Sequence, residues 1–312
     1  MVDRFTVRAS KLIDPKSDFA FKKIFVPKEN EEVLVRFLND MLDFREGPPI
    51  TSIKIRETHL GAHTLGQKSV ILDVLCSDAD GNDYIVEMQS TEDKENEFRR
   101  RALYYATQTY CRQLQIGEPY KNLKAVYLIA VLDFNLFADN FPMLSQFSIF
   151  ERNIKEPEFP HLHLITLELK KFKKGPHDLA KLENKAEQWA YFFKYAECLS
   201  DEEWEEFVAK DNMFKRVYRS LNQASWTMQE YDEYEAFLKD VRDLDYLQRN
   251  LAAKERAEGL AEGEAKGEAK GEAKIKEMVR NLLELGLNVD KISKASGLSL
   301  AEIEKLQKGD GT

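Results

Sequence analysis

Apolar residues recur at threes and fours from Phe19, Phe21, Ile24 and Phe25 through Val33, Leu34, Phe37, Leu38, Met41 and Leu42. That period belongs to helix with one buried face. Helix is expected over 17–45, punctuated by Pro27 and closed before Pro48-Pro49. From about Ile50 to Leu169 the pattern changes to short β-branched or apolar runs at 52–58, 69–76, 83–89, 124–133 and 161–169. Runs of this length bounded by turn residues predict strands. Residues 96–115, between the third and fourth runs, are rich in Arg, Tyr, Ala and Gln and read as a helix. The order helix, three strands, helix, strand and a fifth strand predicts an α/β fold with a mixed central sheet and flanking helices. Residues 178–250 carry Trp189, Tyr191, Phe192, Phe193, Trp204, Phe207, Phe214, Tyr218 and Trp226 at helical spacing, which predicts a helical subdomain packed on the sheet.

The pattern then breaks. Gly259, Gly263, Gly267 and Gly271 recur every four residues, with Gly-Glu-Ala-Lys repeated from Gly263 to Lys274. Each glycine costs a helix about 1 kcal/mol relative to alanine. Like charges also fall four apart, which adds nothing to a lone helix. The segment reads as a solvated spacer or weak helix, or as a glycine stripe that lets two helices pack closely in a homo-oligomer. Beyond it, Met278, Leu282, Leu283 and Leu285 restore amphipathic periodicity up to Gly286. A second helix runs through Val289 and Ile292 to Gly297, and Ser299 with Glu302 forms a capping box for a third. The Ile292–Ser299 stretch has the small-residue turn of helix-turn-helix units. Glu302 and Glu304 beside Lys305 and Lys308 are a poor charge balance for a duplex, so this unit reads as a packing or docking element before a DNA reader. Four segments are expected: a core over 1–170, a helical subdomain over 171–250, the repeat over 251–274 and a small helical unit over 275–312.

Composition narrows the class. The chain has 312 residues, is 43% hydrophobic and 11% aromatic, and carries a net charge of −9. This is a globular protein with an acidic average surface. Non-specific phosphate binding favours the opposite sign, so contact with nucleic acid would rest on a local basic patch and metal ions. Cys76, Cys111 and Cys198 are far apart with no CxxC spacing, and read as reduced core thiols. The opening residues, Met1 to Phe25, are charged throughout, and no apolar run reaches the length of a membrane span. A cytoplasmic protein with no membrane partner is expected. His59 with His63, His161 with His163, and His177 offer no third ligand for zinc.

Two strand-like runs carry carboxylates that the pattern does not call for. Asp73 sits inside Val70–Leu75, and Glu87 inside Asp83–Gln89. Ionised groups in apolar strands are costly unless they are paired or bind a metal. Alternation sets Ile85, Glu87 and Gln89 on one face and Tyr84, Val86 and Met88 on the other. A three-residue loop of Ala79, Asp80 and Gly81, with Gly81 left-handed, would set Asp73 opposite Glu87. A two-residue Asp-Gly turn would set Asp73 opposite Met88 instead. Directly opposed like charges repel, and a hard divalent cation such as Mg²⁺ removes the conflict. Gln89, on the same face, could orient a water but carries no charge. The same spacing also suits an ordinary solvated strand face.

Asp73, then Glu87-Met88-Gln89, then a helix with Arg101 and Tyr105, resembles the PD-(D/E)XK nuclease superfamily. More closely the chain resembles the recombination-promoting nuclease, or putative transposase, family. Ser17–Phe25 is similar to that family's opening helix and Phe37-Leu38-Asn39 to its continuation. Arg101–Tyr105, Gln113-Leu114, Gly117, Tyr120 and Leu123 are similar to the segment after the core hairpin, and the charged repeat and final helix pair are typical endings. The resemblance implies a restriction-endonuclease-like core and metal-dependent cleavage of DNA phosphodiesters, in recombination, mobile elements or phage defence of bacteria. It implies that Asp73, Glu87 and the Met88 carbonyl hold Mg²⁺ or another divalent cation. Gln89 stands where the superfamily usually has lysine, a departure this family shares. That leaves developing charge to the metal or to a cation such as Arg101. Arg101, Tyr105 and Gln108 share a helical face and either line the site or buttress the sheet. Asp18 either joins the site or caps its helix, and Arg99–Arg101, after the acidic Glu92–Glu95, read as a solvated helix start or a phosphate clamp. Two functions remain open: an Mg²⁺-dependent DNA endonuclease, and a degenerate nuclease fold serving as a DNA- or protein-binding assembly module.

Overall fold

The computed structural model describes residues 12–42, 48–61, 69–90, 97–151, 153 and 159–307. Two compact units divide at Tyr234 and Glu235.

In the first unit, Ser17 accepts the Ala20 N–H and opens α1 (Asp18–Phe25). Pro27, with φ −61°, separates it from a 3₁₀ turn at Lys28–Asn30 and from α2 (Glu31–Met41). The helix expected over 17–45 is therefore two helices, and 43–47 lie outside the described residues. The strands are β1 (Ile53–Ile55), β2 (His59–Leu60), β3 (Val70–Ile71), β4 (Val74–Asp78), β5 (Asp83–Gln89), β6 (Val126–Leu132), β7 (Leu144–Ile149) and β8 (Phe159–Glu168). Six of them form one sheet in the order β1-β4-β5-β6-β8-β7, while β2 and β3 pair separately. β5, β6 and β8 run parallel and the outer pairings are antiparallel. The mixed sheet with flanking helices is the fold class that the hydrophobic pattern predicts. β7 has no counterpart among the predicted runs. Ser145, Gln146 and Ser148 interrupt its apolar residues, and as an edge strand it packs on a single neighbour.

Alternation along the strands splits the core in two. On one face Val74, Cys76, Tyr84, Val86, Met88, Ile129 and Val131 pack with Phe21, Phe25, Phe37, Trp189 and Phe193. These come from α1, α2 and α4 (Lys185–Tyr195), and α5 (Asp201–Lys210) and α6 (Phe214–Leu221) complete that layer. On the other face α3 (Glu97–Cys111) lays Phe98, Ala102 and Ala106 on Leu75, Ile85, Leu128 and Ala130. Of the three cysteines, Cys76 alone is buried; Cys111 and Cys198 are exposed. This corrects the expectation of core thiols: Cys111 is the last residue of α3, and Cys198 follows the end of α4.

The long helix α7 (Met228–Glu284) begins in the first unit and carries the whole glycine repeat. A Cβ added at Gly259, Gly263, Gly267 or Gly271 would meet nothing within 4 Å. In the second unit Val279, Ile292 and Ile303 bury one another across α7, α8 (Val289–Ser296) and α9 (Leu300–Gln307). Ser299 and Glu302 form the expected reciprocal cap. Among the described residues no helix is long and apolar enough to cross a membrane.

Candidate active site

The site begins with the backbone of β5. Its odd-numbered residues bond towards β6: Asp83 N–H donates to Ala125 C=O, and Gln89 C=O accepts from Asp133 N–H, both at 2.9 Å. Even-numbered residues therefore turn their main-chain groups towards β4. The β4–β5 ladder ends at the Val74–Val86 pair. The chain bends at Asp73, and Leu72 N–H donates to Thr58 C=O instead of continuing along β5. Met88 N–H and C=O thus face ground that the neighbouring strand has left. The Asp73 side chain occupies it, its Oδ2 accepting Met88 N–H at 2.8 Å.

The observed register pairs Val74 with Val86 and Ser77 with Asp83. One step further it sets Asp73 across from Glu87, as the three-residue loop predicts. Gly81 has φ +87°. Leu75 and Ile85, two residues from Asp73 and Glu87, both pack beneath α3, so the two carboxylates share the α3 face. Asp73 N–H donates to Glu87 Oε1 at 3.2 Å. Gln89 Nε2 donates to Glu87 Oε2 at 3.2 Å, and Arg101 Nη2 donates to Gln89 Oε1. Gln89 is thereby held at both ends of its amide, as a link between Glu87 and Arg101.

The electrostatics set Glu87 apart. Three carboxylates are fully buried among the described residues: Asp83, Glu87 and Glu168. Asp83 has Arg56 at 2.8 Å and Glu168 has Lys171 at 3.2 Å. Glu87 is 2% exposed and faces a second carboxylate. Burial and then the Asp73 charge push the Glu87 carboxyl well above its ordinary range. Burial raises Asp73 too, against the opposing effect of the Met88 N–H bond. Two oxygen-only side chains beside a free main-chain carbonyl are the donor chemistry of a hard divalent cation. Among the described residues no group of three or more His, Cys, Asp and Glu side chains is placed to hold a metal. The residues that could hold a cation here are the two carboxylates and the Met88 carbonyl, with water completing its shell.

Tyr105, one turn beyond Arg101, is half-buried, and after burial the Glu87 charge is what most raises its hydroxyl. Gln108 follows on the same helix, half-buried, with no hydrogen bond to either carboxylate among the described residues. Asp18 does not cap α1, since Ser17 does. It lies in the first turn, and its charge acts on Asp73. Arg99 points away, donating to Leu136 C=O and lying 4.9 Å from the Phe137 ring centroid. Sequence reasoning missed Lys22, whose charge acts on both Asp73 and Glu87. Its four-residue spacing from Asp18 was the available signal, since that places both on one helical face. The histidines serve elsewhere: His163 bonds Ser148, His161 bonds Tyr110 and His177 bonds Glu203, while His63 lies outside the described residues.

A family model described as PD-(D/E)XK nuclease family transposase matches residues 15–250. The chain belongs to this family. The matched span runs from the residues before α1, through both carboxylates and α3, into α7. It leaves the glycine repeat, α8 and α9 outside. Comparison with curated proteins gave no match, and comparison with solved structures gave none. Membership in the PD-(D/E)XK transposase family marks the chain as a nuclease-type protein related to mobile elements.

Proposed function

We propose that the protein is a divalent-cation-dependent DNA endonuclease, with Mg²⁺ held by Asp73, Glu87 and the Met88 carbonyl. One observation carries the reading. Glu87 is the buried carboxylate without a lysine or arginine at salt-bridge distance among the described residues, and its neighbour is another carboxylate. Such an arrangement destabilises the empty fold and is relieved by a bound cation. A bound divalent cation supplies Lewis-acid polarisation of a phosphoryl oxygen and a lowered pKa for attacking water. The chain's own residues do the rest. Asp73 and Glu87 present their oxygens from one face, and the N–H groups of Met88 and Asp73 fix how each carboxylate is turned. Gln89 locks Glu87, and Arg101 locks Gln89. A groove of about 1010 Å³ lies beside β7 between Asn39, Met143, Gln146 and Lys185. It holds none of these groups, which lie at the end of β5.

The test is cleavage of supercoiled plasmid by purified protein with and without Mg²⁺. Wild type is expected to nick or linearise it, and Asp73→Ala to be inactive. Equal cutting by the two would remove Asp73 from the site. The competing reading, a degenerate fold used for assembly, predicts no cutting and no response to divalent cations.

A further inference from the structure

With a net charge of −9, the protein can hold a phosphate backbone only on a locally basic surface. Directly after β8 the chain reads Lys170-Lys171-Phe172-Lys173-Lys174, four lysines in five residues. Runs of this kind suit nucleic-acid contact. Their place in the fold is set by the sheet. The parallel strands β5, β6 and β8 end level, since the register sets Gln89 beside Leu132 and Leu132 beside Glu168. Two strand spacings, about 9–10 Å, separate Gln89 from Glu168, where the lysine turn begins. Open α/β sheets take their ligands along this carboxyl edge.

Hydrogen bonds run along the edge from the carboxylates to the turn. Arg101 and Arg99 both leave the start of α3, one for Gln89 Oε1 and the other for Leu136 C=O. The N–H groups of Leu136 and Phe137 donate to Glu168 at 3.0 and 3.3 Å. Glu168 pairs with Lys171 at 3.2 Å, and Lys171 also donates to Ala138 C=O at 3.0 Å. Phe172 is buried and its C=O accepts Lys194 Nζ at 2.8 Å, which fixes the turn at its middle. Between the strand ends, Asp133 donates its N–H to Gln89 C=O, and its carboxylate is neutralised by Lys16 at 3.2 Å.

The four lysines of the turn differ. Lys171 is 7% exposed and spent on Glu168, while Lys174 pairs with Glu183 and Glu187. Lys170 and Lys173 are exposed, and neither has a carboxylate at salt-bridge distance among the described residues. Lys173 Nζ donates instead to Lys170 C=O at 3.3 Å. Two unneutralised ammonium groups thus stand on a fixed turn, on the edge that carries the site.

We propose that Lys170 and Lys173 bind the phosphate backbone of duplex DNA, so that the turn after β8 holds the flank of a substrate cut at the end of β5. The proposal rests on the nuclease reading above for its choice of ligand. Point charges on flexible stems suit a backbone that is held for its charge and carries no sequence information.

The test is the salt dependence of duplex binding by the full-length chain in EDTA, measured on two duplexes of unrelated sequence. Lys170→Gln with Lys173→Gln should reduce the slope of log affinity against log salt by about 1.8, two contacts at about 0.9 each, and equally on both duplexes. Lys170→Arg with Lys173→Arg keeps the charges and should keep the slope. Lys121→Gln with Lys124→Gln removes the same charge from exposed lysines just ahead of β6, at the opposite edge of the sheet. That edge is about 20 Å away along the strand, beyond the roughly 10 Å Debye length at 0.1 M salt, so the slope should hold. An unchanged slope in the Gln pair, a matching fall in the Arg pair, or an equal fall at Lys121 and Lys124 would overturn the proposal. Plasmid cutting by wild type with Mg²⁺ would then leave the nuclease reading standing. Wild type that binds duplex through Lys170 and Lys173 but cuts nothing would overturn the nuclease reading and keep the surface. Protein that neither binds nor cuts would overturn both.

Discussion

The main-chain N–H of Asp73 donates to the Glu87 carboxylate at 3.2 Å, and the bond crosses the hairpin where its ladder stops. Together with the Met88 N–H on Asp73 it forms a reciprocal clasp, in which each carboxylate is held by the other strand's backbone. The two charges are neighbours because the backbone places them so, against their own repulsion.

Without a cation, stability should fall as pH rises. Burial and mutual charge raise both carboxyls in the folded state. From the ordinary carboxylate range near pH 4 up to those raised values, the folded protein keeps protons that the unfolded chain has released. Unfolding free energy therefore declines with pH across that window and is highest at its acid end. Glu87→Gln removes one charge from the pair. In EDTA near pH 8 it should raise the melting temperature by a few degrees, about 1–2 kcal/mol, and near pH 4 it should change little. Calorimetry across that range decides it, and a variant less stable than wild type at every pH would argue that the pair is not in conflict.

Divalent cations should reverse the penalty. A ligand that binds only the folded state at 100 times its Kd adds about 2.7 kcal/mol, which for a domain of this size is roughly 5–10 °C. Wild type should show this rise with Mg²⁺ or Mn²⁺ in thermal denaturation. Asp73→Ala and Glu87→Gln should be flat, because each removes one of the two carboxylates.

Arg101→Met tests the link through Gln89. The substitution keeps much of the side-chain volume over Phe98 but leaves Gln89 Oε1 without its donor. Residues that orient metal ligands typically cost 10–100-fold in metal affinity or activity when lost. The expected result is a drop of that size in cleavage, with the melting temperature in EDTA within a few degrees of wild type. Unchanged kinetics would mean that Glu87 needs no such positioning.

Much of this arrangement was legible from spacing alone. Alternation in Asp83–Gln89 places Glu87 and Gln89 together. The Asp78–Asn82 turn left two registers open, and the structure has the one that sets Asp73 across from Glu87. The bend at Asp73 was not legible, because it depends on Leu72 N–H finding Thr58 C=O some fourteen residues away. Without that bend the run 69–76 reads as one strand, and nothing marks the Met88 main chain as free. The Gln89 amide was equally hidden, since its orientation is set by Arg101 on a helix of the other layer. Lys22 belongs to the same class: helical spacing shows its partnership with Asp18, but its electrostatic effect on the two carboxylates arises only in the fold.

Gly81 offers the sharpest test of register against mere stability. It sits at φ +87° in the Ala79-Asp80-Gly81 loop, where its N–H donates to Asp78 C=O at 3.2 Å and the Asp78 carboxylate accepts the N–H groups of Asp80 and Asn82. A Cβ there would meet only the Lys124 side chain, Cγ at 3.5 Å and Cε at 3.9 Å, both ordinary contacts, so the penalty of Gly81→Ala is conformational. It should cost about 1–2 kcal/mol while Asp73 stays opposite Glu87, leaving cation stabilisation and cleavage close to wild type. Asp80→Asn, which favours a two-residue Asn-Gly turn closed by Ala79 and Asn82, should act differently. A two-residue turn satisfies the hairpin but slides one strand by a residue, and a one-residue slip turns every side chain to the opposite face. Asp73 would then oppose Met88, and the clasp could not form. This variant should lose both the response to Mg²⁺ and the cutting of plasmid while still melting cooperatively. Were the two loop variants to cut alike, the pairing of Asp73 with Glu87 would not be what the hairpin is built to hold.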